Sequence, residues 1–97
     1  GWKLDVVRRE LRDPEDVLVD LTSGEFDLLA ALIDRPNRLM TRDLLLDITK
    51  GRQADVFDRS IDITISRLRQ KIEDDPKNPQ FIKTVRGKGY IFSAEIG

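Results

Sequence analysis

"TVRGKGYIF" (residues 84–92) sets two glycines around a lysine, with an arginine just before them and a tyrosine just after. Apolar residues flank the group, Ile82 and Val85 on one side, Ile91 and Phe92 on the other. Three readings compete: a phosphate-cradling loop, a plain tight turn, or a hairpin that carries positive charge. A dinucleotide or Walker loop follows a strand and opens a helix, so that helix N–H groups meet the phosphate. Here the strand-like "YIF" comes next and only a few residues remain, so the cradle fails on context. A plain turn accounts for the glycines, which supply positive φ, but not for the basic ring of Lys83, Arg86 and Lys88. A hairpin over 81–93, pairing "FIKTV" with "YIF" across "RGKG", accounts for both.

The segment before the hairpin decides what it is attached to. Asp55 is a candidate N-cap with Asp58 at N3, and the spacing predicts a helix over 56–73, closed by "EDDP" with Pro76. Ile61, Ile65, Leu68 and Ile72 recur at i, i+4, i+7 and i+11, one narrow core-facing stripe. At 100° per residue, Arg59, Ile63, Ser66, Arg67 and Gln70 gather on the opposite side, and Arg69 falls on a flank beside Asp62. Ile63 is the residue that does not fit a generic amphipathic helix. Single exposed apolar residues usually carry no function. In a DNA major groove, however, arginine bonds guanine N7 and O6 while an aliphatic group meets a thymine methyl. The same face would also suit a protein partner. A basic helix joined directly to a basic hairpin predicts a winged helix.

Upstream, residues 1–21 read as short antiparallel strands broken by the turn cluster "DPED" (13–16). "LTSGEF" starts a helix over 22–34: Thr22 caps, Glu25 completes a capping box, and Leu21 with Phe26 has staple spacing. Phe26, Leu29, Ala30 and Ile33 mark its apolar stripe, and Pro36 ends it. "MTRDLLLDI" opens a second helix over 41–50 in the same way, with Thr41 as cap and Met40 and Leu45 as staple. "KGRQADVFD" (50–58) is then a loop.

Composition narrows the chemistry. Ninety-seven residues with 39% hydrophobic and 36% charged side chains make one small domain with a single core. There is no cysteine and no histidine, which removes disulfides, thiolate zinc sites and the commonest general base together. An enzyme is not expected, no clustered carboxylates mark a metal site, and no cofactor is implied. No apolar run approaches the ~20 residues of a membrane span. Net charge is −1, yet residues 1–49 hold 7 basic and 11 acidic side chains while residues 50–90 hold 10 and 6. A polyanion partner therefore suits only the C-terminal half.

"LTSGEFDLLAALIDRPNRLMTRDLLL", "DRSIDITISRLRQKIEDDP" and "IKTVRGKGYIF" together run in order through nearly the whole chain, and in that combination it resembles the DNA-binding domain of OmpR/PhoB-type response regulators. The resemblance implies an α+β winged helix-turn-helix: an N-terminal antiparallel four-stranded sheet, three helices and a C-terminal hairpin wing. It implies a cytoplasmic, non-enzymatic transcription-factor domain of a two-component system that binds double-stranded DNA at direct-repeat operators. A receiver domain, absent from this chain, would take phosphate from a sensor kinase and promote pairing with a second copy on DNA. By position, Arg59, Ser60, Thr64, Arg67 and Arg69 look like recognition-helix contacts to bases and phosphates, with Ile63 near a thymine methyl. Thr84, Arg86, Lys88 and Tyr90 match wing positions, and Arg42 resembles a phosphate contact. Lys50, Gly51, Arg52, Gln53 and Ala54 lie in the segment that touches RNA polymerase in activators of the family. Thr64 and Lys88 stand at positions that vary within it, and the acidic first half departs from a general attraction to DNA. The runner-up is a winged helix whose Arg-Ile face docks a protein.

Overall fold

The computed structural model describes residues 1–50 and 61–93, the Lys50 side chain excepted. Three short strands come first: β1 (Lys3–Asp5), β2 (Glu10–Arg12) and β3 (Leu18–Val19), antiparallel in that order. Aspartates make both turns. Asp5 Oδ1 accepts the Val7 and Arg8 N–H groups at 3.0 Å, and Asp13 Oδ1 accepts those of Glu15 and Val17 at 2.9 Å. Leu4, Leu11 and Val19 lie opposite one another, so one face of the sheet joins the core. The resemblance implies four strands here, and among the described residues three pair. The turns take up the residues between strands, and Thr22 commits the next residues to a helix.

That helix is α1 (Ser23–Asp34). Its capping box is complete: Glu25 N–H donates to Thr22 Oγ1 at 3.2 Å, and Thr22 N–H to Glu25 Oε1 at 3.0 Å. The stripe expected at Phe26, Leu29, Ala30 and Ile33 is displaced. Leu28, Ala31 and Leu32 are sealed along with Phe26 and Leu29, whereas Ala30 and Ile33 are only half-buried. The reason is tertiary: α1 packs against both α2 (Arg42–Lys50) and α3 (Ile61–Ile72), so it needs a wider apolar face than one partner would demand. Thr41 Oγ1 accepts the Leu44 N–H at 3.1 Å at the start of α2, and Met40 and Leu45 both sit in the core.

Met40 and Thr41 also form a strand, β4, which pairs with the C-terminal hairpin of β5 (Ile82–Val85) and β6 (Gly89–Phe92) in the order β4-β6-β5. The hairpin closes through Lys88 N–H to Val85 O at 2.9 Å, with Gly87 at φ 72°. Gly89 has a different reason to be glycine. At φ 155°, a Cβ there would lie 2.2 Å from Met40 O, so β4 approaches β6 only because no side chain intervenes. Between α3 and β5, the buried Glu73 carboxylate accepts the backbone N–H groups of Gln80, Phe81 and Ile82 at 2.7, 3.0 and 2.9 Å. This fixes where the wing begins, and nothing in the sequence pattern singles Glu73 out. The result is an α+β winged helix-turn-helix.

Candidate nucleic-acid interface

One side of α3 is sealed. Ile61, Ile65, Leu68 and Ile72 are at most 6% exposed, which fixes the helix rotation. The opposite side is open: Ile63 is 52% exposed, with Ser66, Arg67 and Gln70 also exposed around the same helix. Thr64 is half-buried. Arg59 and Ser60 lie outside the described residues, as do the Asp55 and Asp58 cap and the segment 51–58, including Gly51, Arg52, Gln53 and Ala54. Lys50 is the last residue of α2.

At the tip of the wing, Arg86 and Lys88 are exposed beside Gly87, and Lys83 is exposed on β5. No helix follows β6 among the described residues, so the glycines shape a hairpin rather than a phosphate cradle.

Between the wing and α3, two residues expected at DNA make contacts within the protein. Arg69, which the resemblance puts at DNA, turns two of its guanidinium nitrogens to the wing. Nε and Nη2 donate to Ile82 O at 3.0 and 2.8 Å, and Nη2 also donates to Thr84 Oγ1 at 2.7 Å. It faces β5 because, seven residues after Asp62, it falls on the flank of α3 that meets the wing rather than on the open face. Tyr90 is likewise expected near the DNA backbone, yet it is only 4% exposed. Its ring belongs to the core and its hydroxyl donates to Asp62 Oδ1. Thr84, opposite Tyr90 across the hairpin, is occupied as the acceptor for Arg69.

Arg42 completes this polar joint. Its Nε donates to Asp62 Oδ1 at 2.8 Å, while 41% of its side chain stays exposed. The Arg42 and Arg69 guanidinium carbons lie 5.4 and 5.6 Å from the Tyr90 ring centroid, within cation–π range. The Tyr90 hydroxyl, helped by the Arg42 guanidinium against a smaller opposing effect of burial, holds the Asp62 carboxyl below the usual carboxylate range. Burial and the neighbouring carboxylate push the Tyr90 hydroxyl up, so it stays a proton donor at neutral pH. Asp62 is a residue that periodicity alone does not single out. Its one signal in the sequence is its place on the helix flank shared with Arg69.

A second buried charge lies at the start of α1. Lys71 Nζ donates to Glu25 Oε1 at 2.6 Å and to Asp20 O at 2.8 Å, tying α3 to α1. Burial opposes the Glu25 charge, but the Lys71 ammonium and the Thr22 N–H outweigh it, and the carboxyl ionises below its ordinary value. Among the described residues no cluster of side chains is arranged to hold a metal ion, and no helix is long and apolar enough to cross a membrane.

Residues 7–92 match the family described as "Transcriptional regulatory protein, C terminal". The chain is 47% identical over 95 residues to the regulatory protein VirG of Agrobacterium fabrum, covering 98% of this chain and 38% of that protein. It spans 36 to 39% of the length of the VirG relatives it matches. Among solved structures it is similar to the Klebsiella pneumoniae RstA DNA-binding domain in complex with the RstA box, with 40% identity and a TM-score of 0.81 over 95% of this chain and 90% of that one. It is also similar to the Thermotoga maritima response regulator DrrB, an OmpR/PhoB homologue, with 32% identity and a TM-score of 0.82 over 96% of this chain and 42% of that one.

Proposed function

The chain belongs to the OmpR/PhoB-type family of transcriptional regulatory C-terminal domains, the DNA-binding output modules of response regulators, and from that premise we propose how it meets its operator. The open face of α3 enters the major groove, where Arg67 reads a base edge and Ile63 meets a thymine methyl. Arg59, Ser60 and Thr64 are further contacts to DNA in this reading. Arg42, Arg86 and Lys88 reach sugar–phosphate backbone on either side of it. The observation that carries this reading is the exposure of Ile63 and Arg67 opposite a fully sealed stripe, beside a basic wing tip. The RstA domain, similar over most of its length, is bound to its own DNA box.

Further partners belong to the whole protein. A receiver domain, phosphorylated by a sensor kinase, pairs two copies on direct-repeat sites in the cytoplasm, and the segment 50–54 faces RNA polymerase. No catalysis is assigned to this chain.

Duplex binding measured against salt tests the reading. If Arg42, Arg59, Arg86 and Lys88 each neutralise one phosphate, log K should fall with log[salt] at a slope of roughly −3.6. Selection from random duplex DNA should then enrich one half-site. An absence of duplex binding even at low salt would contradict the reading and leave the face to a protein partner.

A further inference from the structure

Asp62 is an anomaly in a surface that meets a polyanion. Its carboxylate is 59% exposed on the first turn of α3, next to residues proposed to touch DNA. Simple charge arithmetic says that a carboxylate there weakens binding and that removing it should strengthen binding. Its contacts say otherwise. One oxygen receives both the Arg42 Nε, from the first residue of α2, and the Tyr90 hydroxyl, from β6 of the wing. Three elements therefore meet at a single carboxylate. Arg69, seven residues further along α3, ties the same flank to Ile82 and Thr84 of β5.

Resting on the DNA-binding reading, the geometry points to Asp62 as a positioning residue that aims Arg42 at the phosphate backbone and sets the wing at a fixed angle to the recognition helix. A guanidinium is a planar fork, and holding it by Nε orients its two terminal amino groups together. With that anchor in place, Arg42 presents its terminal N–H groups from an ordered side chain and loses less rotamer entropy when a phosphate arrives. Asp62 itself touches no base. Its effect is therefore independent of sequence and works through Arg42 and the wing.

The test exploits the opposite signs. Binding is measured on a duplex enriched by the wild-type chain from random-sequence DNA and on an unselected duplex of equal length, each across a salt series. Asp62→Asn keeps the shape and removes the charge, and Asp74→Asn removes the same charge just beyond the other end of α3. Positioning predicts that Asp62→Asn weakens both duplexes by roughly 5-fold and flattens the salt slope by about 0.9, the loss of one phosphate contact. It also predicts that Arg42→Ala costs much less in the Asp62→Asn background than in wild type. Tyr90→Phe, which keeps the ring and removes the donor, should move binding in the same direction by a smaller factor, with thermal unfolding reporting that each variant folds. Tighter or equal binding by Asp62→Asn would overturn the inference, as would independent effects of Asp62 and Arg42. A loss confined to one base pair of the selected duplex would also overturn it, since Asp62 would then be a base reader. Failure of the wild-type chain to bind either duplex would instead sink the DNA-binding reading beneath it.

Discussion

Arg67 and Arg69 stand two residues apart on the same helix and have opposite surroundings. Arg67 projects from the open face, whereas Arg69 is spent inside the protein on Ile82 O and Thr84 Oγ1. Helix geometry separates them by about 200°, enough to put one toward solvent and the other toward the wing. The same division runs through the whole C-terminal half. Ile63, Ser66, Arg67 and Gln70 form an exposed surface. Asp62, Arg69, Thr84, Tyr90 and the base of Arg42 form the joint that decides where that surface points.

The sharpest way to break this division is at the joint's backbone. Gly89→Ala forces a Cβ into Met40 O and should cost about 3 kcal/mol or more in chemical denaturation, because backbone rather than a flexible side chain must yield. Gly87→Ala, where nothing lies within 4 Å, should cost only the positive-φ strain of about 1 kcal/mol. Equal costs would mean that β4 does not approach as described. Next in size, Arg69→Ala removes three hydrogen bonds and should destabilise the fold by about 1–3 kcal/mol, while reducing affinity alike on selected and unselected duplexes. An unchanged midpoint of unfolding would show that these bonds do not hold the joint together.

Much of this division is legible in the sequence, and its limits have a physical cause. Period-3.6 patterning finds the sealed stripe of α3 and the open face opposite, because burial along one helix repeats with the helix itself. It misplaces part of the α1 stripe, since α2, α3 and β6 all pack on α1, and Leu28 and Leu32 are buried from directions that one stripe does not encode. The turn glycines are visible, but the particular need at Gly89 depends on Met40, far away in the chain. Lys71 and Glu73 escape notice for the same reason, and Asp62 shows only its place on the flank beside Arg69. Each takes its role from a partner on another element, and local spacing carries no record of such pairs.

The smallest expected effect concerns the ion pair that ties α3 to the start of α1. Glu25 ionises more readily folded than unfolded, so its contribution to stability is complete above the ordinary value of 4.5. That contribution is lost as the pH falls through the lower, folded value. Glu25→Gln should flatten the acid limb of stability against pH while leaving duplex binding at neutral pH unaltered. An acid limb of unchanged steepness would show that the Lys71 pair contributes nothing to it.

If α3 reads sequence through its open face while its flank holds the pose, substitution of Arg67 separates the two. Arg67→Ala should be titrated against the selected duplex and an unselected one, beside wild type at the same salt. Base readout by the open face predicts a loss of about 1–3 kcal/mol on the selected duplex, relaxed preference at one or two base pairs, little change on the unselected one, and an unchanged unfolding midpoint. Equal losses on both duplexes would make Arg67 a phosphate contact and contradict base readout.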